Sequence, residues 1–139
     1  MSKNVETFMA AHKAFNRRDL DAAVKHFAAD VVYHDSPRGL TFKGPKAFKE
    51  FMQGWVTALS NCEVFEPKYH DAGDTVIAEF IGRGTNDGPL GPFPKTGKPL
   101  KLQICEVMHF NKKGEIIGGT NYYDQMSMLV QLGHAQAPK

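Results

Sequence analysis

Hydrophobic positions follow two different periods along the chain, and the change falls near residue 60. Before it, they recur every three or four residues, which predicts amphipathic helices. One helix is predicted over about residues 3–16, and a second starts at the N-cap Asp19 and ends at Asp30. A third starts at Pro45, a residue favoured at the first helical position. The three apolar stripes are Val5, Phe8, Met9, His12 and Phe15; Leu20, Ala23, Val24 and Phe27; and Phe48, Phe51, Met52, Trp55, Val56 and Leu59.

Short strands are predicted between the second and third helices, and strands dominate after residue 60. A loop rich in Pro and Gly at residues 86–97 is predicted to form a pocket lip, with Leu90 or Phe93 reaching the pocket or a partner. Pro67 predicts an edge or a bulge. Asp124 either caps a last helix that Gly133 closes or is a polar group of the pocket. The predicted strands are residues 31–35, 40–43, 62–70, 75–85, 98–110 and 115–124.

The order of these elements predicts the fold class. Helices come first and a four-strand meander follows, which is an α+β arrangement. We expect a cone-shaped, curved, mostly antiparallel sheet with helices packed on its concave face. At 139 residues, the chain is expected to form a single domain over residues 1–139.

Composition narrows the function classes. A net charge of +2 with scattered basic residues gives no reason to expect a nucleic-acid partner. No apolar run is long enough for a membrane span, and the N-terminus lacks the apolar core of a signal peptide. Cys62 and Cys105 fit no metal or redox spacing, so we expect a reducing, cytoplasmic setting and no metal.

Several short motifs lie at residues 14–16, 27–30, 44–48, 84–91, 95–97, 123–124 and 129–133. Taken in order, these motifs resemble the nuclear transport factor 2-like superfamily and, within it, the SnoaL-like polyketide cyclase group. The resemblance implies an interior pocket for a small apolar molecule, no cofactor, and a homodimer formed through the convex face of the sheet. Cys105 and Val107, predicted on that face, are apolar for solvated positions.

The resemblance also suggests roles for individual residues. The base aspartate of ketosteroid isomerases, which are relatives, matches Asp35, and their oxyanion acid falls near Glu106. The tyrosine of their first helix would fall near Ala11 and is missing here. The acid/base aspartate of SnoaL-type cyclases falls at Asn121, whose amide cannot take a proton at neutral pH.

The residues themselves leave alternatives open. Asp35 shares a strand face with Tyr33, and it is either a desolvated base or a turn cap before Ser36 and Pro37. Glu106 either faces the interior or pairs with Arg83 or a lysine on the solvent face. His12 faces either the pocket or an interface. The predicted site has Asp35 and Glu106 as catalytic residues and Tyr33, Asn121, Tyr123, His12 and Trp55 as substrate-binding residues.

Three functional hypotheses follow. The first is a cofactor-independent enzyme of the cyclase or isomerase type that shuttles a proton on a small apolar carbonyl compound. Two carboxyl groups that share a water-poor interior cannot both ionise readily. We therefore expect Asp35 to be the base and Glu106 to keep its proton. The second is a binding protein with the same pocket and no chemistry. The third is an interaction module that dimerises through its sheet.

Overall fold

The structure of this protein is a computed structural model that describes residues 2–138. The first half of the chain contains three helices and two strands, and strands dominate the second half. The helices are α1 (Lys3–Asn16), α2 (Leu20–Ala23), α3 (Pro45–Ala58) and α4 (Gln125–Leu132); the strands are β1 (Phe27–Asp35), β2 (Leu40–Lys43), β3 (Glu63–Asp71), β4 (Thr75–Thr85), β5 (Pro99–Phe110) and β6 (Ile116–Tyr122).

The six strands form one curved sheet in the order β2-β1-β6-β5-β4-β3. Strands β3 to β6 are an antiparallel meander, and β1 joins them by pairing in parallel with β6. Because β2 and β3 are edge strands, the sheet stays open. The predicted α+β class and the mostly antiparallel sheet are confirmed.

Helix boundaries follow the capping residues that the sequence indicates. The side chain of Asp124 accepts a hydrogen bond from Ser127 N at 3.1 Å, so it is the N-cap of α4. Gly133 closes that helix with a left-handed φ of 85°, a conformation that glycine adopts without strain. Pro45 occupies the first turn of α3, as predicted.

The predicted extent of the second helix is wrong. Helix α2 ends at Ala23, and the chain is extended from Phe27 onward. Phe27 pairs with Ile116 of β6, and both Phe27 and Ala28 are buried. Their helical spacing is therefore overridden by pairing with a strand at the other end of the sequence. The register of β1 against β6 shifts between Phe27 and Val32, so the pairing of the two strands is interrupted there.

Pro67 behaves as predicted. It lies on the edge strand β3, and the register with β4 shifts between Phe65 and Lys68. Glu66 has a φ of 51°, which marks the bulged residue before the proline. The bulge decides which side chains of the later part of β3 point inward.

Helices pack on the inner face of the sheet. Strand residues such as Tyr33, Ala78 and Met108 share one hydrophobic cluster with Phe8 of α1 and Phe51 of α3. The polar side chains of this layer are buried as well. A functional site is therefore expected in the interior.

Candidate functional site

A cavity of about 120 Å³ lies between α1, α3 and the inner face of the sheet. Its wall includes three buried polar side chains, His12, Glu106 and Asn121. The rest is mainly apolar, which suits a small ligand with few polar groups. The apolar lining includes Phe8, Phe15, Phe48, Phe51, Met52, Trp55, Phe80, Leu100, Leu102, Ile104 and Met108.

Three polar side chains form a row across neighbouring strands. Asp35 on β1 lies opposite Asn121 on β6, and Asn121 lies opposite Glu106 on β5. All three are buried. Because adjacent strands are about 4.8 Å apart, the row is a compact polar strip on an otherwise apolar face.

The first polar group, here called the histidine cluster, consists of His12, Glu106, Tyr33 and Tyr69. His12 Nε2 lies 2.8 Å from Glu106 Oε1, and its Nδ1 lies 2.7 Å from the Tyr69 hydroxyl. The Tyr33 hydroxyl donates to Glu106 Oε2 at 2.5 Å. In the His12 tautomer that carries its proton on Nε2, the Glu106 carboxylate accepts from His12 and Tyr33, and His12 Nδ1 accepts from the Tyr69 hydroxyl.

The tyrosines of this cluster are held as hydrogen-bond donors. Burial, and after it the charge of Glu106, raises the pKa of Tyr33 well above its ordinary value. The same two causes raise the pKa of Tyr69. Both hydroxyls consequently keep their protons at neutral pH.

The second polar group, here called the arginine cluster, consists of Asp35, Arg38 and Tyr123. Arg38 Nε donates to Asp35 Oδ2, and the Tyr123 hydroxyl reaches the same oxygen at 3.3 Å. The guanidinium of Arg38 also lies 4.8 Å from the centre of the Trp55 ring, within cation–π range. Burial, followed by the charge of Asp35, raises the pKa of Tyr123.

Two acceptor atoms between the clusters have no hydrogen-bond partner. Asp35 Oδ1 and Asn121 Oδ1 are both buried and unpaired within residues 2–138. An unmet buried acceptor costs about 1–3 kcal/mol, so such atoms are typical of places that a ligand or water completes.

The predicted site residues divide into two sets. His12, Trp55, Glu106 and Asn121 line the cavity. Asp35, Tyr33 and Tyr123 lie behind its wall, where they hold each other or Arg38 and Glu106 in place. The side chain of Asp35 has no exposed surface.

The structure also decides three alternatives that the sequence left open. Arg83 pairs with Glu63 at 2.6 Å, so Glu106 is not its partner on the solvent face. Asp124 is a helix cap, and His12 faces the cavity. Residues 86–97 are absent from the cavity wall; Leu90 is buried in the same cluster as Leu59, and Phe93 stacks on His134.

Sequence reasoning missed Tyr69 and Arg38. Tyr69 follows the bulge at Glu66, and strand parity cannot be counted through a bulge whose exact position the sequence does not give. Arg38 carried a readable signal, because it stands three residues after Asp35 in the turn between β1 and β2.

Residues 5–132 match the family described as SnoaL-like polyketide cyclase. The chain belongs to the SnoaL-like polyketide cyclase family. No helix within residues 2–138 is both long and apolar enough to span a membrane. A comparison with curated proteins gives no match.

Solved structures of SnoaL-like and related proteins share this fold. A putative polyketide cyclase from Xanthomonas campestris pv. campestris is 26% identical, with 93% of this chain and 96% of that chain covered and a TM-score of 0.81. A putative polyketide cyclase from Pseudomonas putida is 23% identical over 95% and 99%, with a TM-score of 0.83. A protein with a ketosteroid isomerase-like fold from Catenulispora acidiphila, solved with trimethylamine, is 24% identical over 96% and 98%, with a TM-score of 0.80.

Proposed function

We propose that the cavity binds a small, mostly apolar ring compound with a carbonyl group, and that Glu106 moves a proton on the carbon beside that carbonyl. The observation that carries the proposal is a buried carboxylate on an apolar cavity wall, held by His12 and Tyr33. A base in such a place is desolvated and fixed in position, both of which favour proton transfer.

The size of the cavity limits the ligand. Its volume of about 120 Å³ is close to that of an engineered apolar cavity of about 150 Å³ that holds benzene. A single six-membered ring therefore fits, and the aromatic lining suits its faces.

The proposed step balances without a cofactor. Glu106 takes a proton from the carbon, the electron pair of the broken C–H bond moves toward the carbonyl, and the oxygen gains negative charge. Asn121 offers amide hydrogens to that oxygen. Return of the proton from Glu106 to another carbon completes an isomerisation. The same first step starts a ring closure.

The geometry favours Glu106 over Asp35 as the proposed base. Asp35 lies behind the cavity wall, and Arg38 and Tyr123 already occupy its Oδ2. Its proposed role is to hold Arg38 against Trp55, which lines the cavity. Asp35 is thus a positioning residue in this account, since it acts through another side chain.

The test uses the β,γ-unsaturated isomer of cyclohexenone, a single-ring ketone whose conversion to the conjugated isomer raises its ultraviolet absorbance. Wild-type protein should accelerate the conversion over buffer, and Glu106→Gln should lose about a hundredfold or more of that rate. Glu79→Gln is the matched control, because Glu79 lies in an exposed histidine pair on β4. Equal rates in the two variants would contradict the proposal.

The rival hypothesis of a non-catalytic binding protein predicts a different pair of results. Trp55 is the only tryptophan and it lines the cavity, so its fluorescence reports occupancy. Quenching by cyclohexenone without any conversion would favour the binding protein. Conversion that disappears in Glu106→Gln while the quenching persists would favour the enzyme.

We also propose that the protein is a homodimer. Val107 and Ile77 are paired across β5 and β4 and have the opposite parity to Glu106 and Ala78, so they lie on the outer face of the sheet. Tyr122, half exposed, lies opposite Cys105 on that face. A second copy would cover these apolar groups. Sedimentation should give a dimer at micromolar concentration, and Val107→Lys should give a monomer.

A further inference from the structure

A chain of hydrogen bonds leads from Glu106 to the partly exposed end of the histidine cluster. Glu106 Oε1 lies 2.8 Å from His12 Nε2, and His12 Nδ1 lies 2.7 Å from the Tyr69 hydroxyl. The other three members of the cluster are buried, whereas Tyr69 is only partly buried. Tyr69 also lines an open hollow at the surface, beside Val5 of α1. The chain therefore begins on the cavity wall and ends at the member of the cluster nearest to solvent.

The ring of His12 is held between these two partners. The rings of Phe8 and Phe80 lie 4.6 and 5.0 Å from it, measured between ring centres. Apolar rings on its sides leave its two nitrogens directed at Glu106 and Tyr69. An imidazole with a partner on each nitrogen can take up a proton on one nitrogen and release a proton from the other.

The proposed base needs such a connection when a ligand fills the cavity. Glu106 lies on the cavity wall, so a bound ligand separates it from any water that enters there. Its other oxygen, Oε2, accepts from Tyr33, whose side chain is fully buried and leads no further. The remaining hydrogen-bonded connection of the carboxylate runs through His12 to Tyr69.

We propose that His12 and Tyr69 relay protons between Glu106 and solvent. In the inward direction, the Tyr69 oxygen accepts a proton from solvent and its own proton passes to His12 Nδ1. The Nε2 proton of His12 then passes to Glu106, which becomes neutral, and His12 is left in its other tautomer. The reverse sequence returns a proton from Glu106 to solvent.

The relay conserves protons at each intermediate group. Burial raises the pKa of Tyr69, so its hydroxyl does not ionise at neutral pH and gives up one proton only as it receives another. This inference rests on the proposed function, because it supplies the proposed base with a second proton partner. His12 and Tyr69 act through Glu106 and are therefore not catalytic residues in this account.

Exchange of the His12 ring hydrogen with water tests the relay without any substrate. The histidine rings are labelled with the heavy isotope of nitrogen, and nuclear magnetic resonance measures how fast the hydrogen on the His12 nitrogen beside Glu106 exchanges. Tyr69→Phe keeps the ring and removes the hydroxyl. It should slow the exchange by about a hundredfold, the lower end of what a positioned proton-transfer group contributes.

The direction of the change separates a relay from a merely structural role. A loosened cluster admits water and speeds the exchange, so unchanged or faster exchange in Tyr69→Phe overturns the inference. Tyr33→Phe is the matched control, because it removes the same group from the other oxygen of Glu106 and leaves the relay intact. Exchange in Tyr33→Phe should be no slower than in the wild type, and equal slowing in both variants also overturns the inference.

The origin of the transferred hydrogen gives a second readout during isomerisation of the β,γ-unsaturated cyclohexenone in heavy water. Wild-type protein should place solvent deuterium in part of the conjugated product. Tyr69→Phe should return more of the substrate's own hydrogen, because Glu106 then exchanges its proton more slowly. The same deuterium fraction in both proteins overturns the inference, whatever their rates.

Failure of this inference is distinguishable from failure of the proposed function. The exchange of the His12 hydrogen requires no turnover, whereas the cyclohexenone assay requires proton transfer to and from carbon. Slower exchange in Tyr69→Phe without any isomerisation by the wild type would refute only the proposed chemistry. Isomerisation together with unchanged exchange in Tyr69→Phe would refute only the relay.

Discussion

Two histidine–glutamate pairs in this protein have the same separation and different surroundings. His12 Nε2 and Glu106 Oε1 are 2.8 Å apart, and so are His70 Nε2 and Glu79 Oε2. The side chains of the first pair are 10% and 9% exposed, and those of the second are 55% and 60% exposed. The pairs therefore differ in solvation and in their further partners.

The difference shows that burial and a second layer of partners, not pair distance, distinguish the candidate site. The buried pair is extended at both ends by tyrosine hydroxyls and borders a cavity. The exposed pair is surrounded by water, which screens its attraction and replaces its hydrogen bonds. Of these two glutamates, Glu106 is the one to which our proposal assigns proton transfer.

Replacing each glutamate by leucine should give the largest contrast in stability. Glu106→Leu leaves Tyr33 and His12 buried without their acceptor and should lower the free energy of unfolding by about 3 kcal/mol. Glu79→Leu should cost less than about 1 kcal/mol, as expected for an exposed pair. Urea denaturation measures both. Similar losses would mean that burial does not separate the two pairs.

Removing a single tyrosine hydroxyl should lower the stability more in the histidine cluster than in the arginine cluster. The Tyr33 hydroxyl donates to Glu106 at 2.5 Å, whereas the Tyr123 hydroxyl is 3.3 Å from Asp35 Oδ2. Tyr33→Phe should cost about 2 kcal/mol, as for a hydrogen bond to a charged group. Tyr123→Phe should cost under about 1 kcal/mol because its contact is long. The reverse order in urea denaturation would contradict the assignment of the tight donor.

Alkaline pH should destabilise the fold through the buried tyrosines. The pKa values of Tyr33, Tyr69 and Tyr123 are raised in the folded state, while unfolded tyrosine titrates near about pH 10. Above that pH the unfolded state releases protons that the folded state keeps, so stability, fully present below it, falls as pH rises. Each tyrosine adds up to about 1.4 kcal/mol per pH unit. Tyr33→Phe should reduce the slope of stability against pH. Tyr122→Phe is the control substitution, because Tyr122 is half exposed.

Local patterns were sufficient to predict most of the fold. Strand β4 has the predicted bounds, and α3 and α4 begin where Pro45 and Asp124 predicted. The error at Phe27 has a non-local cause, since its partner Ile116 belongs to the last strand. A helical spacing of apolar residues cannot reveal that a distant strand will pair with it.

The site was harder to predict because its contacts span the chain. Strand alternation and the family resemblance made Glu106 and Asn121 candidates for the interior, with a solvent-facing Glu106 as the alternative, and the cavity wall contains both. The link between His12 and Glu106 joins α1 to β5, and no local spacing encodes it. The partner of Asp35 lies closer along the chain. Arg38 stands in the turn that follows Asp35, so its basic side chain was a readable candidate for an ion pair.

The most direct test of this account compares the two buried carboxylates as bases. Cyclohexanone is incubated in heavy water with wild-type protein, Glu106→Gln or Asp35→Asn, and nuclear magnetic resonance follows the exchange of hydrogens on the carbons beside the carbonyl. We predict that Glu106→Gln removes the protein-dependent exchange, since Glu106 is the carboxylate on the cavity wall. Asp35→Asn should retain a substantial part of it, because Asp35 lies behind that wall. Loss of exchange in Asp35→Asn with full exchange in Glu106→Gln would contradict the account.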